Sequence, residues 1–292
     1  MTDFGNLDSL KITVLAEDSV LYESPYLGQH GISMLLEAFS ENNTKNILVD
    51  VAQNPEALLK NMELMQKDPS LIDMIVLTHC HYDHTQGLAE ILKHIGKKNI
   101  PVVSHPDLFR LNFVTDPYLR HVGVGDQDSR EKIEAAGGIL FLTRSPLQLF
   151  PGLFTTGEVP RKNDFEEVGI DLKTIKDGKV IDDQMPDDIS VIARIKGEEI
   201  FIITGCSHAG IVNISQHAQI ISGVKKIKGI IGGFHLIEAK TDRIIKTVTA
   251  LNEMKVEKLF AGHCTGFPAQ VELFKVFKER FEPLHTGMVI TV

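Results

Sequence analysis

Four apolar runs in this chain end in histidine: DMIVLTHCHYDH over residues 73–84, EIFIITGCSH over 199–208, KGIIGGFH over 228–235 and KLFAGHC over 258–264. Short runs rich in β-branched residues and bounded by turn formers read as buried strands. Several strands delivering imidazoles at their ends require a sheet that gathers its carboxyl ends along one rim, which is where α/β proteins bind ligands. Glycine stands shortly before His208, His235 and His263, letting the backbone turn there and a ligand come close.

The first run places His79, His81 and His84 with Asp83 inside six residues. Alternate side chains of an extended segment point the same way, so His79 and His81 can share one ion, while a turn swings Asp83 and His84 towards a second. Imidazole nitrogen and carboxylate oxygen suit zinc, iron or manganese, and too few cysteines are present for a closed structural zinc knot. A helix with Leu88, Ile91, Leu92 and Ile95 on one face follows the motif. His208 and His263 are expected to complete the metal ligands, with His235 as a ligand, a catalytic group or a substrate contact.

Asp50 closes the run NILVD. It is read either as a carboxylate accepting a ring N–H from a ligand histidine, which fixes its tautomer, or as the cap of the turn at 51–54. His30 in GQHGIS and Glu158 in TTGEVPR are candidates for substrate contact. The three cysteines all sit beside suspected ligands: Cys80 between His79 and His81, Cys206 two before His208, Cys264 directly after His263. That placement favours a reduced compartment over a disulfide framework; Cys80 and Cys264 read as small buried residues.

Composition narrows the alternatives. With 292 residues, 43% hydrophobic and 24% charged, the expectation is one α/β domain over 1–292 with a sizeable core. No apolar run approaches the roughly 20 residues of a membrane span, and the N-terminal MTDFGNLDSL lacks the pattern of a secretory signal. Cytoplasm is therefore the expected location. A net charge of −9 weighs against a nucleic-acid partner.

Strands are expected at LKITVLAED, GISMLLEAF, NILVDVA, IPVVSH, GILFLT, GLFTTGEV, ISVIARI and GMVITV as well as at the four histidine runs. Helices are expected over 55–66, 88–95, 213–222, 242–254 and 269–281. Lys196-Gly197-Glu198 reads as a hairpin turn. The aromatic segment 106–128 reads as an insertion or lid over the site. The stretch 160–188, with nine Asp or Glu, reads as a solvated excursion.

An early Asp at a strand end, the HxHxDH run, a downstream strand followed by TG, and a late GH together resemble the metallo-β-lactamase superfamily. More narrowly, HGIS, THCHYDHTQGL, TTGEVPR, TGCSHAGIVN, GGFHL and GHCTG are similar to its subgroup of dihydropterin-ribofuranosylaminobenzene phosphate synthases and metal-dependent hydrolases. The resemblance implies an αββα sandwich with the metals at one edge of two sheets. It makes His79, His81 and His208 ligands of one ion, and Asp83, His84 and His263 ligands of the other. The chain departs from the superfamily's commoner form, where TG is followed by an Asp bridging both ions; Cys206 stands in that place as a bridging or metal-adjacent thiol.

The expected cofactor is one or two divalent cations, zinc first, with manganese, iron or magnesium also compatible. One activity consistent with the residues is hydrolysis of a phosphoester, ester or lactone by metal-activated water, with Asp83 orienting the nucleophile and His235 or the second ion stabilising the oxyanion. The alternative implied by the subgroup is a transferase joining a pterin methylene diphosphate to an arylamine, the metals balancing the departing diphosphate. A third reading is a metal-containing small-molecule binding protein. The partner is thus a small molecule, phosphorylated or pterin-like; a homo-oligomer stays open.

Overall fold

The computed structural model describes residues 4–168, 170–196 and 198–292. Two seven-stranded sheets pack face to face. The first runs in the order Val289–Thr291, Ser9–Ala16, Ser33–Ser40, Asn43–Val49, Met74–Val76, Ile100–Ser104, Gly138–Leu142; the second in the order Phe281–Pro283, Lys258–Gly262, Lys226–Gly233, Glu199–Ile203, Val191–Ile195, Leu153–Thr155, Gln148–Phe150. Inward-facing Leu10, Ile12, Leu36, Ile47 and Val76 of the first sheet meet Val191, Phe201, Ile203, Ile231 and Phe260 of the second, forming the central core.

Each outer face is covered by helices. Leu58 and Met62 of helix Pro55–Leu64, with Leu88, Ile91, Leu92 and Ile95 of helix Leu88–Ile95, bury against Leu35, Leu48 and Val102. Helices Ile211–Ser222, Thr241–Glu253 and Phe267–Phe277 cover the second sheet through Ile214, Ile244, Leu251 and Leu273. The layering is the αββα sandwich that the family resemblance implies. The apolar spacing dictated the helices, and remote carboxylates finish their amino ends: Asp128 accepts from the Gly87 and Ala89 amides at 2.8 Å, and Glu166 from those of Val212 and Asn213 at 2.8 Å, satisfying donors that a helix start leaves unpaired.

Several boundaries differ from the sequence reading. The last helix stops at Phe277, and Phe281–Pro283 becomes a strand beside Lys258–Gly262. The strand before the HCHYDH run is only Met74–Val76, because the chain leaves the sheet at Leu77 to begin the metal-type loop. Gly197, the centre of the expected hairpin turn, lies outside the described residues; the strands on either side pair antiparallel, Ile195 opposite Glu199.

The largest departure concerns segment 160–188, which meets segment 106–128. They come together in a third sheet of four short strands, ordered Lys179–Asp182, Lys173–Lys176, Phe113–Val114, Arg120–His121, joined where Lys173 pairs with Phe113. The acidic stretch is consequently not all solvated: Glu166, Asp183, Asp187 and Asp188 are buried. Arg110 carries two of these carboxylates, Asp183 at 2.6 Å and Asp187 at 2.7 Å. Asp187 in turn accepts the Cys80 amide at 2.8 Å, tying the added sheet to the loop that holds His79 and His81.

Candidate metal centre

Parallel pairing of Asn43–Val49 with Met74–Val76, and of Lys226–Gly233 with both Glu199–Ile203 and Lys258–Gly262, brings the carboxyl ends of both sheets to one rim. Asp50, Ser207, His235 and His263, all at those ends, have left-handed backbones with φ of 57°, 62°, 44° and 49°. Such conformations in non-glycine residues cost of order 1–3 kcal/mol each and are held by the surrounding structure. Hydrogen bonds do the holding: Gly233 N donates to Gly205 O at 2.7 Å, Phe234 N to Thr265 Oγ1 at 3.0 Å, and Leu236 N to Cys264 O at 3.0 Å.

The rim assembles the predicted histidines. His208 Nε2 lies 3.2 Å from His81 Nδ1, and the His79 ring centre 4.9 Å from that of His208. Asp83 Oδ2 lies 3.1 Å from His263 Nε2, 3.4 Å from His84 Nε2 and 3.5 Å from His30 Nε2. Cys206 Sγ lies 3.1 Å from His84 Nε2. Donor atoms fall into sets lying within 4.8 Å of one another: Asp83, His84, Cys206 and His263 in one, His79, Cys206 and His208 in another. His79 Nε2, His81 Nε2 and His208 Nδ1 are buried without a hydrogen-bond partner. Buried nitrogens left unpaired are costly unless something coordinates them, so this donor set fits a divalent cation.

Asp50 acts on two of these rings. Its fully buried carboxylate accepts the Thr78 amide, the Thr78 hydroxyl and His84 Nδ1–H, each at 2.7 Å. With its proton given to Asp50, the Thr78 oxygen can accept from His79 Nδ1 at 3.0 Å. Both imidazoles thereby present Nε2 to the centre. Gly205 must be glycine for this network: a Cβ there would stand 2.2 Å from Thr78 Oγ1 and 3.0 Å from Asp50 Oδ2.

Protonation follows the same layout. Burial lowers His79 and His208 well below the ordinary imidazole range and His81 to about 4, leaving their lone pairs free. For Asp83 burial opposes ionisation, yet His84 and His263 overcome it and hold the carboxyl well below its usual range. His84 rises to about 9, burial opposing and the Asp83 and Asp50 carboxylates winning. This half of the centre therefore balances its carboxylates with positive charge, as a cation would.

The structure also brings in groups the sequence reading left out. Glu17 and Asp18, which end the first strand's run, reach His263: Glu17 Oε1 accepts its amide and Asp18 Oδ2 meets its Nδ1, both at 2.5 Å. Asp18 Oδ1 also meets His30 Nδ1 at 3.1 Å. The available signal was a carboxylate pair at the carboxyl end of a strand. Cys264 is buried as expected, but it lines the cavity as well. Glu158 does not line it; Arg144 holds that carboxylate at 2.8 Å, with His105 at 3.4 Å.

The cavity over the centre measures about 490 Å³. Its floor is His81, Asp83, Cys206, His208, His235 and His263, and its walls include Tyr82, Val114, Arg120, Val122, Ile170 and Leu172, largely from the added sheet and its flanks.

A strand-end histidine cluster on two stacked sheets matches the family model described as the metallo-β-lactamase superfamily over residues 31–212. The chain belongs to the metallo-β-lactamase superfamily. It is 42% identical over 293 aligned positions to the 7,8-dihydropterin-6-methyl-4-(β-D-ribofuranosyl)-aminobenzene-5'-phosphate synthase of Methanocaldococcus jannaschii, covering 99% of each chain. Among solved structures it is similar to Tm1679, described as a metal-dependent hydrolase of the β-lactamase superfamily, with a TM-score of 0.78, 26% identity and coverage of 97% of this chain and 99% of that one. The fold of a PhnP-family diphosphatase also matches, with a TM-score of 0.53 at 14% identity and coverage of 98% of each chain. This metallo-β-lactamase relative is an enzyme, and the reading as a binding protein without chemistry is set aside. No helix among the described residues is long and apolar enough to cross a membrane.

Proposed function

We propose that this enzyme joins a dihydropterin methyl group to an arylamine carrying a ribofuranosyl phosphate, with loss of diphosphate from the pterin. In that reaction the methylene–oxygen bond breaks, a methylene–nitrogen bond forms, and the arylamine gives up a proton. The observation that carries the reading is a single cavity with metal-type donors on its floor and apolar walls roomy enough for a ring. Full-length similarity to the synthase of Methanocaldococcus jannaschii supports it.

His79, His81 and His208 would hold one divalent cation, and Asp83, His84 and His263 another, with the Cys206 thiol in reach of both donor sets. Cations held there supply Lewis-acid stabilisation of charge developing on a departing phosphate oxygen. The chain's own residues do the rest. Val114, Val122, Ile170 and Leu172 exclude water around a planar ring, and Arg120 offers a guanidinium to an anionic group at the wall. Asp18 orients both His263 and His30, and His30 Nε2 faces Asp83 from the open side.

A second reading, hydrolysis of a phosphoester, ester or lactone, is supported by the likeness to Tm1679. One experiment separates the two. Zinc- or manganese-loaded protein is given the dihydropterin methyl diphosphate with and without the ribofuranosylaminobenzene phosphate, and products are weighed by mass spectrometry. The condensed product, formed only with the acceptor, is expected; diphosphate release at the same rate without acceptor would overturn transfer in favour of hydrolysis.

A further inference from the structure

Beside the two donor sets assigned above lies a third of different chemistry. The sulfurs of Cys206 and Cys264 and a ring nitrogen of His235 lie within 4.8 Å of one another. All three residues are buried, at 3%, 9% and 7% exposure, and all three line the cavity. Neither ring nitrogen of His235 has a hydrogen-bond partner. A buried imidazole whose ring nitrogens find no hydrogen-bond partner costs free energy that coordination would recover.

Backbone geometry holds the three in place. They come from the ends of three adjacent parallel strands, stitched by Gly233 N to Gly205 O and by the Leu236 and Ile237 amides to Cys264 O. The Cys264 sulfur lies 2.5 Å from where a Cβ on Gly233 would stand, so the sulfur has its room because that residue is glycine. His235, with φ of 44°, accepts a strained backbone to sit there. Its ring centre is 4.1 Å from that of His208, so the set borders the histidine half of the centre.

We propose that Cys206, His235 and Cys264 form a third metal position, a Cys₂His site for a thiophilic divalent cation of the zinc class with its fourth position open to the cavity. Two sulfurs and one imidazole select zinc over magnesium or manganese, and three protein ligands with one open position are the arrangement of zinc that works on a substrate. Binding releases the proton of each thiol to solvent as the sulfur takes the cation. Cys206 also belongs to the Asp83–His84–His263 set and to the His79–His208 set, so its sulfur links this position to its neighbours.

The test uses the full-length protein, purified without oxygen and loaded with Co²⁺. Metal content per chain is read by mass spectrometry, thiolate-to-cobalt charge transfer by absorption, and sulfur ligation by X-ray absorption at the cobalt edge. The unaltered chain is expected to show two sulfur ligands per chain. Cys264→Ser is expected to lose one ion per chain and about half the charge-transfer intensity, as expected when one of two thiolate ligands is removed. His81→Ala is expected to keep that band, so failure of the histidine and carboxylate positions is distinguishable from failure of this one. Unchanged metal content and absorption in Cys264→Ser would overturn the site. So would one sulfur ligand or none in the unaltered chain, a readout independent of how any variant folds.

Discussion

Replacing Asp50 by Asn tests how the chain controls its own ligands. Asp50 is fully buried, and its carboxylate takes three hydrogen bonds at 2.7 Å, from the Thr78 amide, the Thr78 hydroxyl and His84 Nδ1. Asparagine keeps one acceptor oxygen, which can stay with the Thr78 amide. Its NH₂ then faces two donors, so the Thr78 hydroxyl and His84 Nδ1–H lose their acceptor. Hydrogen bonds to a charged group contribute about 1.5–3 kcal/mol each, so the variant, losing two, should lose roughly 3–6 kcal/mol of stability. His84 is freed to present the wrong tautomer, and through Thr78 so is His79. Loss of such an orienting partner typically costs about 10–100-fold in metal affinity. Competition against a chelator of known affinity, with thermal unfolding of the metal-free protein, measures both effects. An Asp50→Asn protein that binds metal within about threefold of the unaltered chain would refute this account, since a tenfold loss is the least it allows.

Other perturbations are equally direct. Gly205→Ala should push Thr78 and Asp50 apart, because the added carbon would lie 2.2 Å from Thr78 Oγ1; a fall in stability of about 1–3 kcal/mol is expected, and unchanged urea unfolding would contradict it. Arg110→Met leaves the buried Asp183 and Asp187 carboxylates without their cation and should cost about 3–5 kcal/mol, seen in denaturant unfolding. Asp188, fully buried with one oxygen on the Ala209 amide at 2.6 Å, is pushed up to about 7 by burial. The folded metal-free chain then keeps a proton that the unfolded chain releases near pH 4, so stability falls as pH rises from about 4 to 7, by at most roughly 4 kcal/mol. Asp188→Asn should flatten that slope, and an unaltered pH profile would rule the assignment out.

The strands and helices were legible because the strands are continuous apolar runs and the helices carry 3.6-residue stripes; their stacking as an αββα sandwich came from the family resemblance. The HCHYDH cluster was legible because metal chemistry concentrates unusual residues at close spacing. His208 and His263 could be read from their strand ends, since parallel strands carry whatever ends them to one rim. Asp18 and Glu17 escaped because a carboxylate pair after a strand is common, and only the tertiary register brings it to His263. The small sheet escaped for another reason: Lys173–Lys176 is only partly buried and Lys179–Asp182 is exposed along its whole length, and Phe113, which pairs with Lys173, lies some sixty positions earlier in the chain. Cys264 read as ordinary packing because burial of a small thiol is what packing and ligation share.

Metal content bears most directly on the claim that these strand ends form a metal centre. Elemental analysis of the purified chain, beside His81→Ala, is expected to find at least two divalent ions per unaltered chain and a loss on substitution. Less than one ion per chain, or the same content in both proteins, would contradict it.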